Sequence, residues 1–176
     1  MKPLLLAGAI LFTVVAATAQ NKPDVWQPLR AFVGEWKGAG GGEPGRGEYN
    51  RSYRAIFNAK FIEVRNQTVY PKQPEITKGE THEDVGYISY DKVRKVFVFR
   101  QFHSEGFVNQ YRLESISPDG KTIVFVSEAL ENLPAGFRAR ETYRISGLNE
   151  FTETFEIAEP DREFAVYSSV TLKRMP

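Results

Sequence analysis

From residue 35 onward the chain is a succession of short runs rich in Tyr, Phe, Val, Ile and Thr, in which apolar and polar residues alternate. Each run stops at turn-forming residues. A period of two marks half-buried strands, and closely spaced turn signals make successive strands pair as antiparallel hairpins. Ten strands are expected, near 35–42, 48–57, 60–70, 81–90, 95–103, 107–116, 122–130, 137–146, 150–158 and 163–173. An open sheet of that size would leave two edges exposed, so the expected architecture is all-β, a ten-stranded antiparallel up-and-down β-barrel. Helical spacing occurs only at Val25–Val33, through Trp26, Leu29, Phe32 and Val33, which predicts one short N-terminal helix. Pro71–Gly79 and Asn132–Gly136 are the longer loops.

The turns propose registers. In Ser104-Glu105-Gly106 the glycine stands last, where a three-residue hairpin loop needs a left-handed residue. This pairs His103 with Phe107, Gln101 with Asn109, Phe99 with Tyr111 and Phe97 with Leu113. Pro118-Asp119-Gly120 repeats the scheme, pairing Ser117 with Lys121, Leu113 with Phe125 and Tyr111 with Ser127. Gly147-Leu148-Asn149 pairs Ile145 with Phe151. Asp91-Lys92-Val93-Arg94 contains no glycine. Either a two- or a four-residue loop there pairs Ile88 with Phe97, Asp84 with Gln101 and His82 with His103, so the chain's two histidines are expected to be directly cross-strand.

Alternation then divides the strands into two faces. His82, Asp84, Gly86, Ile88, Phe97, Phe99, Gln101, His103, Phe107, Asn109, Tyr111, Leu113, Ile123, Phe125, Ser127 and Ala129 share one. The other holds most of the charge, with Arg–Glu pairs across strands, and is placed outside. The lumen is therefore expected to be aromatic, with His82, Asp84, Gln101, His103 and Asn109 gathered at one end and Tyr111 one step deeper. Glu141 and Tyr143 point inward beside Phe137 and Ile145. For the second and third strands two inner sets remain open, Ile56/Phe61/Glu63/Arg65 and Tyr53/Ile62/Val64/Asn66.

The first 19 residues read as a separate segment. Met1–Lys2 is a positive start, Pro3–Ala17 is almost wholly apolar, and Ala17-Thr18-Ala19 is a small-residue cleavage motif. That is the pattern of a secretory signal peptide, followed by a short linker at 20–24 and one barrel domain at 25–176. Export to the periplasm or the extracellular space is expected, with no integral membrane segment in the mature chain. Removing 19 of 176 residues leaves 157, enough for one domain with one sizeable core. There is no cysteine, so stability rests on burial and hydrogen bonding. Without Lys2 the chain carries 22 basic and 22 acidic residues with no long run of either sign, which speaks against nucleic acid or an anionic membrane as partner.

Specific chemistry is sparse. Gly38–Gly47 is rich in glycine but has no Gly-Lys-Ser/Thr leading into a helix, so it reads as strand glycine at a bend or close backbone contact rather than a phosphate loop. Glu63, Glu141 and Glu153 have no spacing that sets a catalytic separation, and interior Arg–Glu pairs explain them as well. No serine sits in a GxSxG elbow. The remaining constellation is His82, Asp84, Phe99, Gln101, His103, Asn109, Tyr111 and Glu141, apolar walls with a few convergent polar groups. It predicts binding of a small hydrophobic or amphipathic molecule in the lumen, with no reaction implied. Two alternatives stand beside this: a metal site, zinc among the candidates, with His82 and His103 as ligands, and a protein-interaction module with a filled lumen.

Phe32-Val33-Gly34-Glu35-Trp36-Lys37-Gly38-Ala39-Gly40-Gly41-Gly42 resembles the GxWxGxG first strand of calycin-like barrels, and most of all that of the nitrobindin-type, heme-binding β-barrel domain. Ten strands after a short helix are similar to the fatty-acid-binding-protein-like architecture. The run HED…GYISYDK…FVFRQFHSEGFVNQY, the segment GFRARETY and the ending AEP…F…YS…LKR resemble a group of small exported bacterial calycin-like proteins of unassigned function. The resemblance implies the barrel over nearly the whole mature chain. It also raises heme as a cofactor, but the nitrobindin-type domain holds iron through a histidine close to its C-terminus, and Arg162–Arg174 contains none. Tyr167 is the one residue of that strand with an oxygen that iron could take as phenolate.

Overall fold

The structure, a computed structural model, describes residues 24–74 and 76–176; the expected signal peptide and most of the linker lie outside the described residues. A 3₁₀ helix, Gln27–Phe32, precedes ten strands: β1 (Gly34–Gly42), β2 (Gly45–Ile56), β3 (Phe61–Tyr70), β4 (Glu80–Asp91), β5 (Val96–His103), β6 (Val108–Ile116), β7 (Thr122–Glu131), β8 (Arg138–Gly147), β9 (Glu150–Ala158) and β10 (Ala165–Arg174). Each strand pairs antiparallel with its sequence neighbours, and β1 pairs with β10, closing the barrel. The expected fold class is therefore correct. Among the described residues no helix is long and apolar enough to cross a membrane.

Closure depends on the glycines of β1. A Cβ on Gly38, Gly40 or Gly42 would stand 2.1, 2.3 or 2.0 Å from a backbone oxygen of β10. Only glycine allows so close an approach of two backbones at the seam, and the structural reading of this glycine run holds.

The helix closes one end of the barrel. Leu29 and Phe32, three apart and so on one face of a 3₁₀ turn, are 2% and 4% exposed. Phe32 meets Phe151 edge-on at 5.0 Å between ring centres, and Trp26 meets Phe97 at 4.9 Å. The helix's last carbonyls would otherwise be orphaned. Trp36 Nε1 donates to Phe32 O (2.7 Å), and Arg174 donates to Ala31 O and Val33 O (both 2.7 Å) with its guanidinium 4.1 Å above the Trp36 ring. Phe99, Tyr111, Ile123, Phe125, Phe151 and Leu172 fill the barrel behind this plug.

Three glycine-marked turns can be compared with expectation. The 104–106 turn keeps its register: Gln101 pairs with Asn109 and Phe99 with Tyr111, and His103 N donates to Phe107 O. Ile145 pairs with Phe151 as expected, although the loop is shorter by one residue and Gly147 pairs with Glu150. Leu113 pairs with Phe125 and Tyr111 with Ser127, but Ser117 N donates to Thr122 O rather than pairing with Lys121. A bulge between Leu113 and Ser115 absorbs the extra residue. A second irregularity at Gln110/Tyr111 sets Leu130, not Ala129, opposite Asn109; Leu130 packs against the core and Ala129 is exposed, correcting the inward assignment of Ala129.

The glycine-free turn corrects the central expectation. Asp91 pairs with Val96, Ile88 with Phe99, Gly86 with Gln101 and Asp84 with His103, a shift of two residues from the expected register. The loop is Lys92–Lys95. Asp91 Oδ1 accepts from Val93 N (2.9 Å) and Arg94 N (3.0 Å), and Lys95 takes the left-handed conformation at φ 55°. His82 is thus not cross-strand from His103. A shift of two preserves parity, so both still face the lumen side.

Candidate functional site: the polar cup

The end of the barrel opposite the helix is open and polar. A cavity of about 330 Å³ lies there, lined by Arg51, Asn66, Asp84, Gln101, His103, Asn109, Glu141 and Glu153 in its interior and by Tyr49, Tyr70, His82, Glu105, Phe107, Phe155 and Tyr167 toward its mouth.

β2 and β3 resolve the alternative left open by their pattern. Tyr53, Ile62, Val64 and Asn66 are the buried set. Pairing Ile56 with Phe61 sets Arg51 opposite Asn66, on the inner face. Arg51 is 6% exposed. Its Nη2 lies 2.8 Å and its Nε 3.2 Å from the two oxygens of Glu153, and Nη1 donates to Thr68 Oγ1 and Asn50 O (both 3.3 Å). Burial alone would pull the guanidinium pKa down, but the Glu153 carboxylate keeps it charged, above its ordinary value. Sequence reasoning missed Arg51. The signal was its position between Tyr49 and Tyr53 in a period of two. Glu63, by contrast, faces outward between Arg54 and Arg65.

Asp84 projects from β4 beside this pair. Its Oδ1 accepts from Asn66 Nδ2 (2.8 Å) and Gln101 Nε2 (3.3 Å). Burial pushes its pKa up to about 6, with Arg51 opposing. Glu141, on β8, is 7% exposed. Burial first and the nearby Glu153 charge second push its carboxyl well above the usual range. Asn109 Nδ2 lies 2.9 Å from Tyr111 Oη and 3.2 Å from His103 Nε2. His103 stacks on Phe107 at 4.2 Å between ring centres, and burial lowers its pKa to about 4, so the imidazole is neutral.

His82 stands nearer the mouth. Its Nε2 lies 3.0 Å from Glu80 Oε1, its Nδ1 contacts Glu105 Oε1, and its ring meets Tyr70 edge-on. Six of the eight expected residues, His82, Asp84, Gln101, His103, Asn109 and Glu141, line this cavity. The other two, Tyr111 and Phe99, are fully buried in the core and stack on each other at 5.9 Å. His82 and His103 are each engaged by a different neighbour, and no group of three or more His, Asp or Glu side chains is placed to hold a metal ion among the described residues.

The heme implied by the resemblance does not suit this cavity. A flat apolar macrocycle needs a deep apolar slot. Here the apolar half of the barrel is filled by side chains, and the space that remains is floored by carboxyl and amide groups. Tyr167 stands 36% exposed at the rim, edge-on to Phe155.

Among the described residues, five buried side-chain polar atoms lack a hydrogen-bond partner: Tyr53 Oη, Asn66 Oδ1, Gln101 Oε1, Asn109 Oδ1 and Glu141 Oε2. Four of them belong to residues lining the cup.

No protein-family model matches this chain, and no curated protein matches it. Among solved structures, Rv2717c from M. tuberculosis aligns with 89% of this chain and 100% of its own, at a TM-score of 0.65 and 17% sequence identity. A protein of unknown function from the DUF3598 family of Nostoc punctiforme covers 88% of this chain and 100% of its own, at 8% identity and a TM-score of 0.29, too low to carry an argument. At 17% identity the first likeness concerns the fold alone: the chain is a closed ten-stranded antiparallel barrel similar in architecture to the M. tuberculosis protein.

Proposed function

We propose that the mature chain is an exported binding protein that takes one small amphipathic molecule in the polar cup. The observation that carries this reading is the convergence of four unpartnered, buried polar atoms on a single cavity. A buried acceptor without a donor costs roughly 1–3 kcal/mol. A fold that gathers four around one space is arranged to have that space occupied. The size supports the same reading, since about 330 Å³ is at the small end of the range for small-molecule sites. The aromatic half of the barrel is occupied by its own side chains, so the ligand's apolar part lies toward the mouth, against Phe107, Phe155 and Tyr167. His82, Asp84, Gln101, His103, Asn109 and Glu141 orient its polar end, with Tyr111 fixing Asn109 from behind and Arg51 and Glu153 as the fixed floor. No bond-making chemistry is needed to account for any of these groups.

Native mass spectrometry of protein purified from its own host tests the proposal. The expected result is a chain with its first 19 residues removed, carrying a co-purifying small molecule that denaturation releases. A bare chain that also binds no member of a panel of small amphipathic compounds would overturn it.

A further inference from the structure

The cup's unmet hydrogen bonds are of one kind. Asn66 and Gln101 each donate an N–H to Asp84 Oδ1, at 2.8 and 3.3 Å. A carboxylate only accepts, so it fixes both amides with their carbonyl oxygens turned away, and those oxygens have no partner. Asn109 directs its N–H groups at Tyr111 Oη and His103 Nε2, leaving Oδ1 unpartnered. Glu141 Oε2 is the fourth. These residues are 9%, 4%, 2% and 7% exposed, and all four line the same cavity.

Positive charge is scarce there. Arg51 is committed to Glu153, and His82 to Glu80 and Glu105. Neither Asp84 nor Glu141 has a salt-bridge partner among the described residues, although Asp84 feels Arg51 at longer range. Asp84 faces Arg51 from β2, His103 from β5, Glu141 from β8 and Glu153 from β9.

We propose that the ligand's polar end is a primary ammonium group, held among Asp84, Asn66, Gln101, Asn109 and Glu141. This rests on the small-molecule reading above and names the chemical class that fits it. An ammonium has three N–H donors, no acceptor and one positive charge, and the cup offers oxygens and an unpaired carboxylate. A ligand carboxylate would bring further acceptors and a second negative charge. A hydroxyl would bring one donor and leave the charge unmatched. At the mouth, Phe107, Phe155 and Tyr167 give the body of such an amine its apolar contacts, and aromatic faces attract cations.

Three probes with the same ring test this by calorimetry at pH 7.5: 2-phenylethylamine, 2-phenylethanol and 3-phenylpropionate. The amine is expected to bind at least tenfold tighter than the alcohol, with the propionate weakest. The amine stays protonated well below its pKa of about 10, whereas Asp84 loses its charge as the pH falls through about 6. Amine affinity should therefore drop at least fivefold between pH 7.5 and 5, and the alcohol's should not. Asp84→Asn should abolish that pH dependence. Asp84→Asn should cost the amine at least tenfold, and Glu141→Leu, which removes the fourth oxygen, should weaken it as well. If either variant fails to fold, the head-group ranking and pH profile of the wild type decide the matter. Alcohol or propionate binding as tightly as the amine would overturn the ammonium assignment and leave the small-molecule reading standing. A crystal structure grown with the amine that shows only water at the four oxygens would overturn the assignment too. No binding of any probe, together with a bare chain from the host, would remove both.

Discussion

The two ends of this barrel are built from the same ten strands and the same alternation, yet they meet opposite demands. At the closed end every inward side chain is apolar or aromatic, and the 3₁₀ helix supplies Leu29 and Phe32 as the last layer. The backbone carbonyls at the end of that helix are satisfied locally, through Trp36 and Arg174. At the open end the inward positions hold three carboxyl groups, one arginine, three amides and a histidine, which satisfy one another only in part. A packed aromatic end stabilises the barrel. An incompletely paired polar end costs stability and gives specificity for whatever completes it. Predictions that set the two ends against each other can break that distinction.

The largest effects fall on the floor of the cup and on the plug. Arg51→Met leaves Glu153 charged and buried without a partner, and should destabilise by about 3–5 kcal/mol in urea unfolding. Arg51→Met with Glu153→Leu should recover most of that loss, because an apolar pair of similar volume removes both desolvation penalties. A double variant as unstable as the single one would show that the pair, not the orphaned charge, matters. Phe32→Ala at the other end should cost a comparable 3–5 kcal/mol through the cavity it leaves among Tyr53, Tyr143 and Phe151. No second substitution inside the cup should rescue that one.

Asp84→Asn should move stability the other way. The folded pKa of Asp84, about 6, lies above its ordinary 3.8, so its contribution is fully present below about 3.8 and lost as the pH rises through 6. Removing the charge should therefore stabilise the ligand-free protein at pH 7.5, by on the order of 3 kcal/mol for a shift of about two pKa units, and the gain should vanish by pH 3.5. His103 has the opposite linkage. Its folded pKa of about 4 lies below the ordinary 6.5, so its contribution is present above 6.5 and lost as the pH falls through 4. In the wild type the two slopes oppose each other between about 4 and 6. In Asp84→Asn the His103 slope is exposed, and melting temperature should fall more steeply on acidification than in the wild type.

What was legible in the sequence followed the turns rather than the two ends of the barrel, for reasons that trace to single residues. Gly106 declared its turn, and the paired positions along β5 and β6 followed. At Lys95 a lysine takes the left-handed conformation that Gly106 and Gly120 take in the next two turns, so nothing marked a four-residue loop starting after Asp91. The register slipped by two, the faces survived and the pairing of His82 with His103 did not. The bulges of β6 and β7 were equally silent, because an extra residue in a strand leaves no compositional trace. Arg51 was hidden by its chemistry. A charged residue is read as outward unless its partner is known, and that partner, Glu153, is 102 residues away.

The smallest expected effect is at the rim. His82 stands between Glu80 and Glu105, with its side chain 37% exposed. Pairs that water reaches are worth about 0–1 kcal/mol and are screened by salt. His82→Ala should therefore change stability by less than about 1 kcal/mol, and the difference should shrink further in 0.5 M NaCl. Truncating its deeper counterpart, His103→Ala, also removes the ring stacked on Phe107 and the group facing Asn109 Nδ2. It should cost more than His82→Ala, with little sensitivity to salt. If the two histidines proved equal in size and in salt response, the boundary between the wet rim and the buried cup would have to be drawn one layer deeper, below His103.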